Sequence, residues 1–273
     1  MVTFPNAKIN LGLNVVESRP DGFHNIETLL YPVALSDILE VLLADEFLFS
    51  TSGLPIDSEP EKNLVVKAYN LLKQNFDIPP VNVHLHKIIP FGAGLGGGSS
   101  DAAFMLKMLN QIFELGLTAG QLRIFASELG ADCPFFIENQ PAFATGKGTK
   151  LAPIDIDLSN YHLVLIKPPF GVNTTRAYKA ITPRRPKISA KEIVTGPIET
   201  WKDNLNNDFE KPVFEMFPEI ATIKQKLYDL GAIYASMSGS GSAVFAFFND
   251  NSKDFKNYFN NDYFVYVCYR NEL

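Results

Sequence analysis

Cysteine, long apolar runs and excess positive charge are all scarce in this sequence of 273 residues. Cys133 and Cys268 form neither a CxxC motif nor a cluster with histidine, which favours two small buried thiols in a reducing compartment over a zinc site or a disulfide. No apolar run reaches the roughly 18 residues that a membrane span needs, and the N-terminus lacks the basic start and apolar block of a signal peptide. The net charge of −6 argues against a protein that binds nucleic acid through a broad basic face.

From these absences we expect a cytoplasmic protein that binds neither nucleic acid nor membranes. Hydrophobic residues make up 46% of the chain, enough for a buried core in one large domain or two modest ones. Because a pocket can be locally positive on an acidic protein, an anionic small molecule fits the composition as a ligand. The sequence does not identify any protein partner.

Alternation and capping signals predict mixed strands and helices in the first half. Residues 9–15 alternate between apolar and other side chains, which predicts a half-buried strand, and a Pro-Asp-Gly turn then leads into a returning strand at 26–33. Asn63 is predicted to cap a helix, and Thr118 forms a capping box with Gln121. Further strands are predicted at 38–43, 47–49 and 81–88, and further helices at 101–113 and from 118 to the glycine at 130. The elements show no repeating βαβ rhythm.

The second half has a different order. After a Pro-containing segment near 153–160 it reads as a strand at 161–167, a mostly helical insertion, and a helix at 219–230. Strands at 233–237 and 243–248, a helix at 253–259 and a strand at 264–268 follow. Without the insertion this is β-α-β-β-α-β, the ferredoxin-like order. We therefore predict two α+β domains, 1–153 and 161–273.

The segment PFGAGLGGGSSD, from Pro90 to Asp101, carries the strongest signal. Five of the seven residues from 92 to 98 are glycine, which is entropically costly but lets several backbone N–H groups converge on one anion. The positive end of the helix that follows would add to that attraction. Ser99 and Ser100 could cap this helix, bind a phosphate oxygen or lie beside a bound Mg²⁺. The pattern favours a phosphate-binding loop.

Two other phosphate loops fit the segment poorly. A Walker A loop needs Lys and then Ser or Thr after its last glycine, but Gly98 is followed by two serines. Residues 92–97 do satisfy GxGxxG, yet the dinucleotide fingerprint needs a buried strand in a βαβ unit, and the strand before this loop alternates as a half-exposed one. A purely structural glycine turn stays open as an alternative.

PFGAGLGGGSSDAA resembles the ATP loop of the GHMP kinases. PNAKINL at 5–11, RPDGFH at 19–24, LGADCPF at 129–135 and SGSGS at 238–242 are similar to segments of the GHMP kinase family that acts on 4-diphosphocytidyl-2-C-methyl-D-erythritol. The resemblance runs from residue 5 to about 248. It implies an α+β, two-domain GHMP kinase fold, with an N-terminal ribosomal protein S5 domain 2-like α/β domain and a C-terminal ferredoxin-like domain.

The resemblance also implies a reaction and a set of site residues. ATP would phosphorylate the tertiary 2-hydroxyl of this cytidine diphosphate-linked methylerythritol, giving the 2-phosphate and ADP in the non-mevalonate route to isoprenoids. By match of motif, Lys8 and Asp132 are the catalytic residues, and Asn10, Phe23, His24 and Tyr178 bind the substrate, Tyr178 by stacking on its cytosine. ATP would be held by Pro90, Gly92, Gly94, Leu95, Gly96, Gly97, Gly98, Ser99 and Ser100, with Ser100 beside Mg²⁺. A contact of Asn63 with the adenine is a separate hypothesis, and the alternative is that Asn63 is only a helix cap.

Departures from the family pattern leave some positions without a role. Phe23 replaces the usual tyrosine, which keeps a stacking face but loses a hydroxyl, and Cys133 replaces valine. Thr149 stands where glutamate is usual, so it receives no function, and the insertion at 183–201 has no counterpart. On pattern alone, Lys8 would be an exposed strand residue and Asp132 a turn residue.

Two other functions stay open at this point. Another GHMP kinase, of the mevalonate or homoserine type, would share the glycine loop, but the RPDGFH segment and Tyr178 argue against it because those enzymes have no cytosine to bind. A nucleotide-binding regulator without catalysis is the second, and the intact Lys8, Asp132 and Ser100 argue against it.

Overall fold

The computed structural model describes residues 1–250 and 253–271. The strands are β1 (Val2–Thr3), β2 (Asn6–Ser18), β3 (His24–Ser36), β4 (Ile38–Leu43), β5 (Leu48–Gly53), β6 (Val81–Lys87), β7 (Ala142–Thr145), β8 (Lys150–Pro153), β9 (His162–Lys167), β10 (Tyr234–Met237), β11 (Val244–Phe248) and β12 (Phe264–Cys268). The helices are α1 (Leu64–Asn75), α2 (Gly97–Ile112), α3 (Ala119–Leu129), α4 (Cys133–Glu138), α5 (Thr174–Lys179), α6 (Ala190–Val194), α7 (Trp201–Asn204), α8 (Glu210–Met216) and α9 (Pro218–Asp229), with 3₁₀ turns at Pro60–Lys62, Ile198–Thr200 and Phe255–Tyr258.

The chain forms two compact units, each assembled from separate segments. Unit 1 contains residues 1–7, 35–91 and 96–140, and unit 2 contains residues 8–34, 92–95 and 141–273. Because these units interleave along the chain, they do not test the predicted division into 1–153 and 161–273, which stays a prediction. Among the described residues, no helix is long and apolar enough to cross a membrane.

Unit 1 is a sheet covered by helices. Its strand order is β1-β4-β6-β5, with β5 parallel to β6 and the other pairs antiparallel. The Asn63 side chain accepts a hydrogen bond from the N–H of Val65, which confirms the predicted cap of α1. The capping box between Thr118 and Gln121 is present at the start of α3. Helix α2 begins at Gly97 rather than at 101, so the last glycines and both serines of the loop form its first turn.

Unit 2 contains the ferredoxin-like sheet. Its antiparallel order β10-β11-β9-β12 matches the predicted β-α-β-β-α-β sequence of elements, with α9 between β9 and β10. The core beneath it includes Val164, Ile166, Ile223 and Leu227. The helix predicted at 253–259 is wrong in extent and type, since only the 3₁₀ turn Phe255–Tyr258 forms there. Residues 253–259 offer two buried or half-buried aromatic side chains but few good helix formers, so a single turn suffices to bury Phe255.

The strand predicted at 9–15 forms as part of β2, but the prediction that it is half-buried is wrong. In β2 every residue from 7 to 13 is buried, and Lys8 is only 3% exposed. The sheet order β2-β3-β7-β8 leaves β2 at an edge, and an uncovered edge exposes unpaired N–H and C=O groups. The expectation of alternation failed because both faces of this strand are covered.

The segment after β9 covers this edge of β2. Leu13 N–H donates to Asn206 O at 2.9 Å, Asp208 N–H donates to Leu13 O at 2.8 Å, and Arg184 N–H donates to Val15 O at 2.9 Å. Gly12 has a φ of +65°, and a Cβ there would lie 2.6 Å from Leu205 Cδ1. Of the insertion at 183–201, Arg184 makes one of these hydrogen bonds, and the residues that follow the insertion make the other two.

Candidate active site

The glycine loop adopts backbone conformations that glycine alone reaches easily. Gly92, Gly94 and Gly96 have φ values of 59°, 73° and 72°, in the left-handed region that L side chains rarely adopt. Gly96 is the residue directly before α2, a helix of 16 residues. The first N–H groups of a helix have no intrahelical acceptor, so the end of this loop offers an anion site at a positive helix terminus.

Three of the loop glycines differ in what a side chain at their position would meet. A Cβ on Gly94 would overlap the carbonyl oxygen of Ser238, and a Cβ on Gly97 would lie 2.9 Å from Ile89 Cγ2 and 3.0 Å from Lys87 Nζ. A Cβ on Gly98 would meet only Leu64 Cδ1, at 3.9 Å, among the described residues. Gly94 and Gly97 therefore serve close packing within the protein, and Gly98 leaves open space above the helix terminus.

Ser100 fits the predicted role beside a metal ion. Its hydroxyl oxygen is buried and has no hydrogen-bond partner among residues 1–250 and 253–271. A buried hydroxyl without a partner is unfavourable, and Mg²⁺ prefers oxygen ligands and keeps several waters while bound to substrate phosphates. Within the same described ranges, no three His, Cys, Asp or Glu side chains form a group that could hold a metal by themselves. The donor set thus fits an ion held by a hydroxyl, water and nucleotide phosphates.

A buried charge cluster that the sequence analysis missed lies beneath the loop. Lys87 Nζ donates to Asp37 Oδ2 and, at 2.8 Å, to Asp101 Oδ2. Asp37 Oδ1 accepts the N–H groups of Ile88 and Ile89 at 2.5 and 2.8 Å. Burial raises the pKa of Asp101 to about 8, against the opposing effect of the Lys87 charge. The signal for Lys87 was available, because it continues the buried face of β6, on which Val81, Val83 and Leu85 lie.

Lys8 and Asn10 form a hydrogen-bonded pair on β2. Lys8 Nζ donates to Asn10 Oδ1 at 2.6 Å and to Gly94 O at 3.1 Å. Ser238 Oγ also donates to Gly94 O, at 2.8 Å, and accepts the backbone N–H of Asn10 at 3.3 Å. Pattern alone predicts that Lys8 is an exposed strand residue, and this prediction is wrong because Lys8 is buried. The structure brings two predicted site residues, the loop glycine Gly94 and the SGSG turn together within unit 2.

The predicted cytosine site contains two stacked rings. His24 and Tyr178 lie with ring centroids 5.0 Å apart and planes inclined by 19°, and the rings of Tyr178 and Phe209 pack edge to face. Phe23 is 58% exposed, and Lys147 Nζ lies 4.8 Å from the centre of its ring. The structure thus places His24 with Tyr178 and leaves the Phe23 ring open to a ligand or to solvent.

Asp132 lies in unit 1, directly before the short helix α4. It is half-buried, and the next residue, Cys133, is buried. Burial raises the pKa of the Cys133 thiol to about 11, although a hydrogen bond with Ser99 opposes this. Cys133 and Cys268 are both buried, as the sequence predicts, and neither forms a disulfide within the described residues. Lys8 belongs to unit 2, so a pairing of Lys8 with Asp132 stays a prediction.

Comparisons with known proteins identify the family. The sequence model of the family "GHMP kinases N terminal domain" matches residues 63–147, and the sequence model of "GHMP kinases C terminal" matches residues 189–264. A 4-diphosphocytidyl-2-C-methyl-D-erythritol kinase of Parabacteroides distasonis is 54% identical over 91% of this chain and 92% of its own. The enzyme of the same name from Bacteroides fragilis is 52% identical over 100% of both chains.

Solved structures agree on the fold. A crystal structure of 4-(cytidine 5'-diphospho)-2C-methyl-D-erythritol kinase is 34% identical, covers 90% of this chain and 89% of its own, and has a TM-score of 0.78. A mevalonate kinase structure covers 98% of both chains with a TM-score of 0.74, but at 14% identity it supports the fold alone. The predicted α+β GHMP kinase fold is therefore confirmed. The chain belongs to the GHMP kinases and, within them, to the family of 4-diphosphocytidyl-2-C-methyl-D-erythritol kinases.

Proposed function

We propose that this kinase transfers the γ-phosphoryl group of ATP to the tertiary 2-hydroxyl of 4-diphosphocytidyl-2-C-methyl-D-erythritol, giving the 2-phosphate and ADP. The observation that carries the proposal is the glycine loop, which ends in open space at the N-terminus of α2. It occurs in a chain that is 52% identical, over its whole length, to a kinase named for this substrate. A cytoplasmic location, supply of an isoprenoid pathway and use of Mg²⁺ are parts of the same proposal.

The nucleotide side of the site consists of the loop and the start of α2. Backbone N–H groups of Gly96, Gly97 and Gly98 would bind phosphate oxygens at the positive helix terminus. Pro90, Gly92, Gly94 and Leu95 shape the loop, and Ser99 adds a second hydroxyl. Ser100 would contribute its unpartnered hydroxyl to Mg²⁺, which when bound neutralises charge on the phosphates.

The transfer step needs a proton acceptor and a nearby cation. We assign the first role to the Asp132 carboxylate, which would accept the proton of the attacking hydroxyl. We assign the second role to Lys8, whose charge is buried and therefore acts in a medium of low dielectric constant. Asn10, which accepts a hydrogen bond from Lys8, would hold that ammonium and contact the substrate.

Removing either aromatic ring should weaken cytosine binding without affecting ATP. Base–aromatic stacking is worth about 1–3 kcal/mol, so Phe23→Ala or Tyr178→Ala should raise KM for the cytidyl substrate roughly 5- to 150-fold. Phe23→Tyr should be nearly neutral, since it keeps the ring. The measurement is steady-state kinetics with each substrate varied, and Tyr258→Ala, which removes another exposed ring, is the control. Unchanged KM values in both alanine variants would contradict the assignment.

Asn63 allows a separate test of adenine recognition. Asn63→Ala should destabilise the protein by about 0.5–2 kcal/mol through loss of the α1 cap, and Asn63→Asp should keep the cap. If the Asn63 amide also contacts adenine, both variants should raise KM for ATP roughly 2- to 12-fold, the value of one hydrogen bond. Thr118→Ala, which removes the comparable cap of α3, should lower stability and leave KM for ATP unchanged. An unchanged KM in Asn63→Asp would remove Asn63 from the site.

Product analysis tests the proposed reaction. The 2-carbon of the substrate carries no hydrogen, so a phosphate on its oxygen should give a phosphorus NMR signal without splitting by a neighbouring C–H. Phosphorylation of the primary or the secondary hydroxyl would give a split signal. We expect one added phosphoryl group by mass spectrometry together with the unsplit signal. A split signal, or no transfer from ATP, would overturn the proposal.

A further inference from the structure

The buried charge cluster of Lys87, Asp37 and Asp101 joins the two ends of the glycine loop. Lys87 is the last residue of β6, just before the loop begins at Pro90. Asp101 follows Ser100 and lies in α2, just after the loop ends. The hydrogen bond between Lys87 and Asp101 therefore connects the segment that enters the loop to the segment that leaves it.

Asp37 fixes the entering segment independently. One of its carboxylate oxygens accepts the N–H groups of Ile88 and Ile89, and the other accepts from Lys87. The backbone N–H of Asp37 itself donates to Pro5 O at 2.9 Å. The Asp37 side chain thus holds the entry to the loop, and a backbone hydrogen bond to Pro5 holds Asp37 in turn.

Burial determines which role Lys87 can have. Its side chain is 1% exposed, and its ammonium contacts two carboxylates. The ammonium also lies 5.3 Å from the centre of the Phe91 ring, and 3.0 Å from where a Cβ of Gly97 would be. A lysine next to a phosphate loop would ordinarily be expected to bind phosphate directly, but this one is directed into the protein beneath the loop.

We propose that Lys87, Asp37 and Asp101 are positioning residues that hold the glycine loop in its ATP-binding shape, without contacting the ligand. The loop carries five glycines in seven residues and would otherwise sample many conformations. Ordering it at the moment of binding would reduce affinity for ATP, and holding it in advance avoids that loss. This inference rests on the proposed function, because it assigns the cluster to the nucleotide side of the same site.

Asp101 is the residue to change, since Lys87 then keeps Asp37 as its partner and no buried ammonium is left alone. Asp101→Ala removes the link between the two ends, and Asp101→Asn keeps an acceptor for Lys87. Val83→Ala is the matched control, because it removes buried methyl groups from the same strand as Lys87 without touching the cluster. Asp101→Ser replaces the alanine variant if the latter does not fold.

The measurements are Kd for ATP by titration calorimetry, KM for each substrate, and the midpoint of thermal unfolding. We expect Asp101→Ala to raise Kd for ATP about tenfold or more, the value of a charge-assisted hydrogen bond, and Asp101→Asn to raise it less. KM for the cytidyl substrate should stay unchanged in both. Val83→Ala should lower the unfolding midpoint but leave Kd for ATP unchanged.

Two results would overturn the inference. One is an Asp101→Ala variant that binds ATP as the wild type does. The other is a Val83→Ala variant that loses ATP affinity in proportion to its loss of stability, which would mean that the cluster acts only through general stability. A wild-type protein that does not bind ATP would instead refute the proposed function, and this inference with it.

Discussion

Asp132→Asn should lower kcat by about 10² to 10⁴, the usual contribution of a general base. A tertiary alcohol is a poor nucleophile with a very high pKa, so an acceptor for its proton should matter even if the proton moves late in a loose transition state. The amide is nearly isosteric with the carboxylate, so ATP and the cytidyl substrate should both still bind. Saturation kinetics and direct binding of each substrate check this, and the exposed Asp155→Asn is the control.

Lys8→Met extends this test to the proposed pair. It should also lower kcat strongly, and the double variant should be little worse than the worse single one, because residues that act as a unit are not additive. Lys8→Met also removes hydrogen bonds to Asn10 and Gly94, so unfolding must be measured alongside. Full additivity would show that the two residues act separately. Lost substrate binding in Asp132→Asn, with kcat intact at saturation, would show that Asp132 only positions the substrate.

Gly98→Val should abolish ATP binding, raising Kd at least about 100-fold, because the side chain would fill the open space in which we propose that a phosphate binds. The protein should stay folded, since a Cβ at this position meets only Leu64 among the described residues, at 3.9 Å. Valine is a slightly poor helix former, but glycine is poorer still. Calorimetric titration with ATP and a thermal unfolding curve measure the two effects separately.

The neighbouring glycine provides the comparison. In Gly97→Val the side chain would collide with Ile89 and with Lys87 of the buried cluster, so this variant should lose both stability and ATP binding. The sequence alone treats Gly97 and Gly98 alike, and only the packing separates them. Normal ATP affinity in folded Gly98→Val would contradict the assignment of this loop to the nucleotide.

Sequence motifs located the glycine loop and the order of elements because both depend on local signals. The loop is recognised by glycines that a left-handed backbone requires, and the cap at Asn63 by a side chain that bonds to the next turn. Both are short-range requirements that single residues satisfy. The ferredoxin-like order was predictable for a similar reason, since strands β10, β11 and β12 are short, mostly apolar runs bounded by turn residues.

Burial of polar groups was less predictable because it depends on segments that are distant in sequence. Pattern alone makes Lys8 an exposed residue, but its ammonium donates to Gly94 O, which also accepts a hydrogen bond from Ser238 of the SGSG turn. Asp37 and Asp101 are separated by many residues, and only the folding of the sheet and helix α2 brings both to Lys87. The available signal was Lys87, a lone lysine on the apolar face of the alternating strand β6, because a buried charge of this kind needs a buried partner.

The most direct test of the central claim is the release of ADP with three alcohols: 4-diphosphocytidyl-2-C-methyl-D-erythritol, mevalonate and homoserine. The cytidyl compound should be phosphorylated with a kcat/KM at least about 100-fold above those of the other two, since only it has a cytosine for the stacking role proposed for Phe23 and Tyr178. Equal or faster ADP release with mevalonate or homoserine would contradict the account. ADP release with none of the three would indicate a nucleotide-binding protein without this catalytic activity.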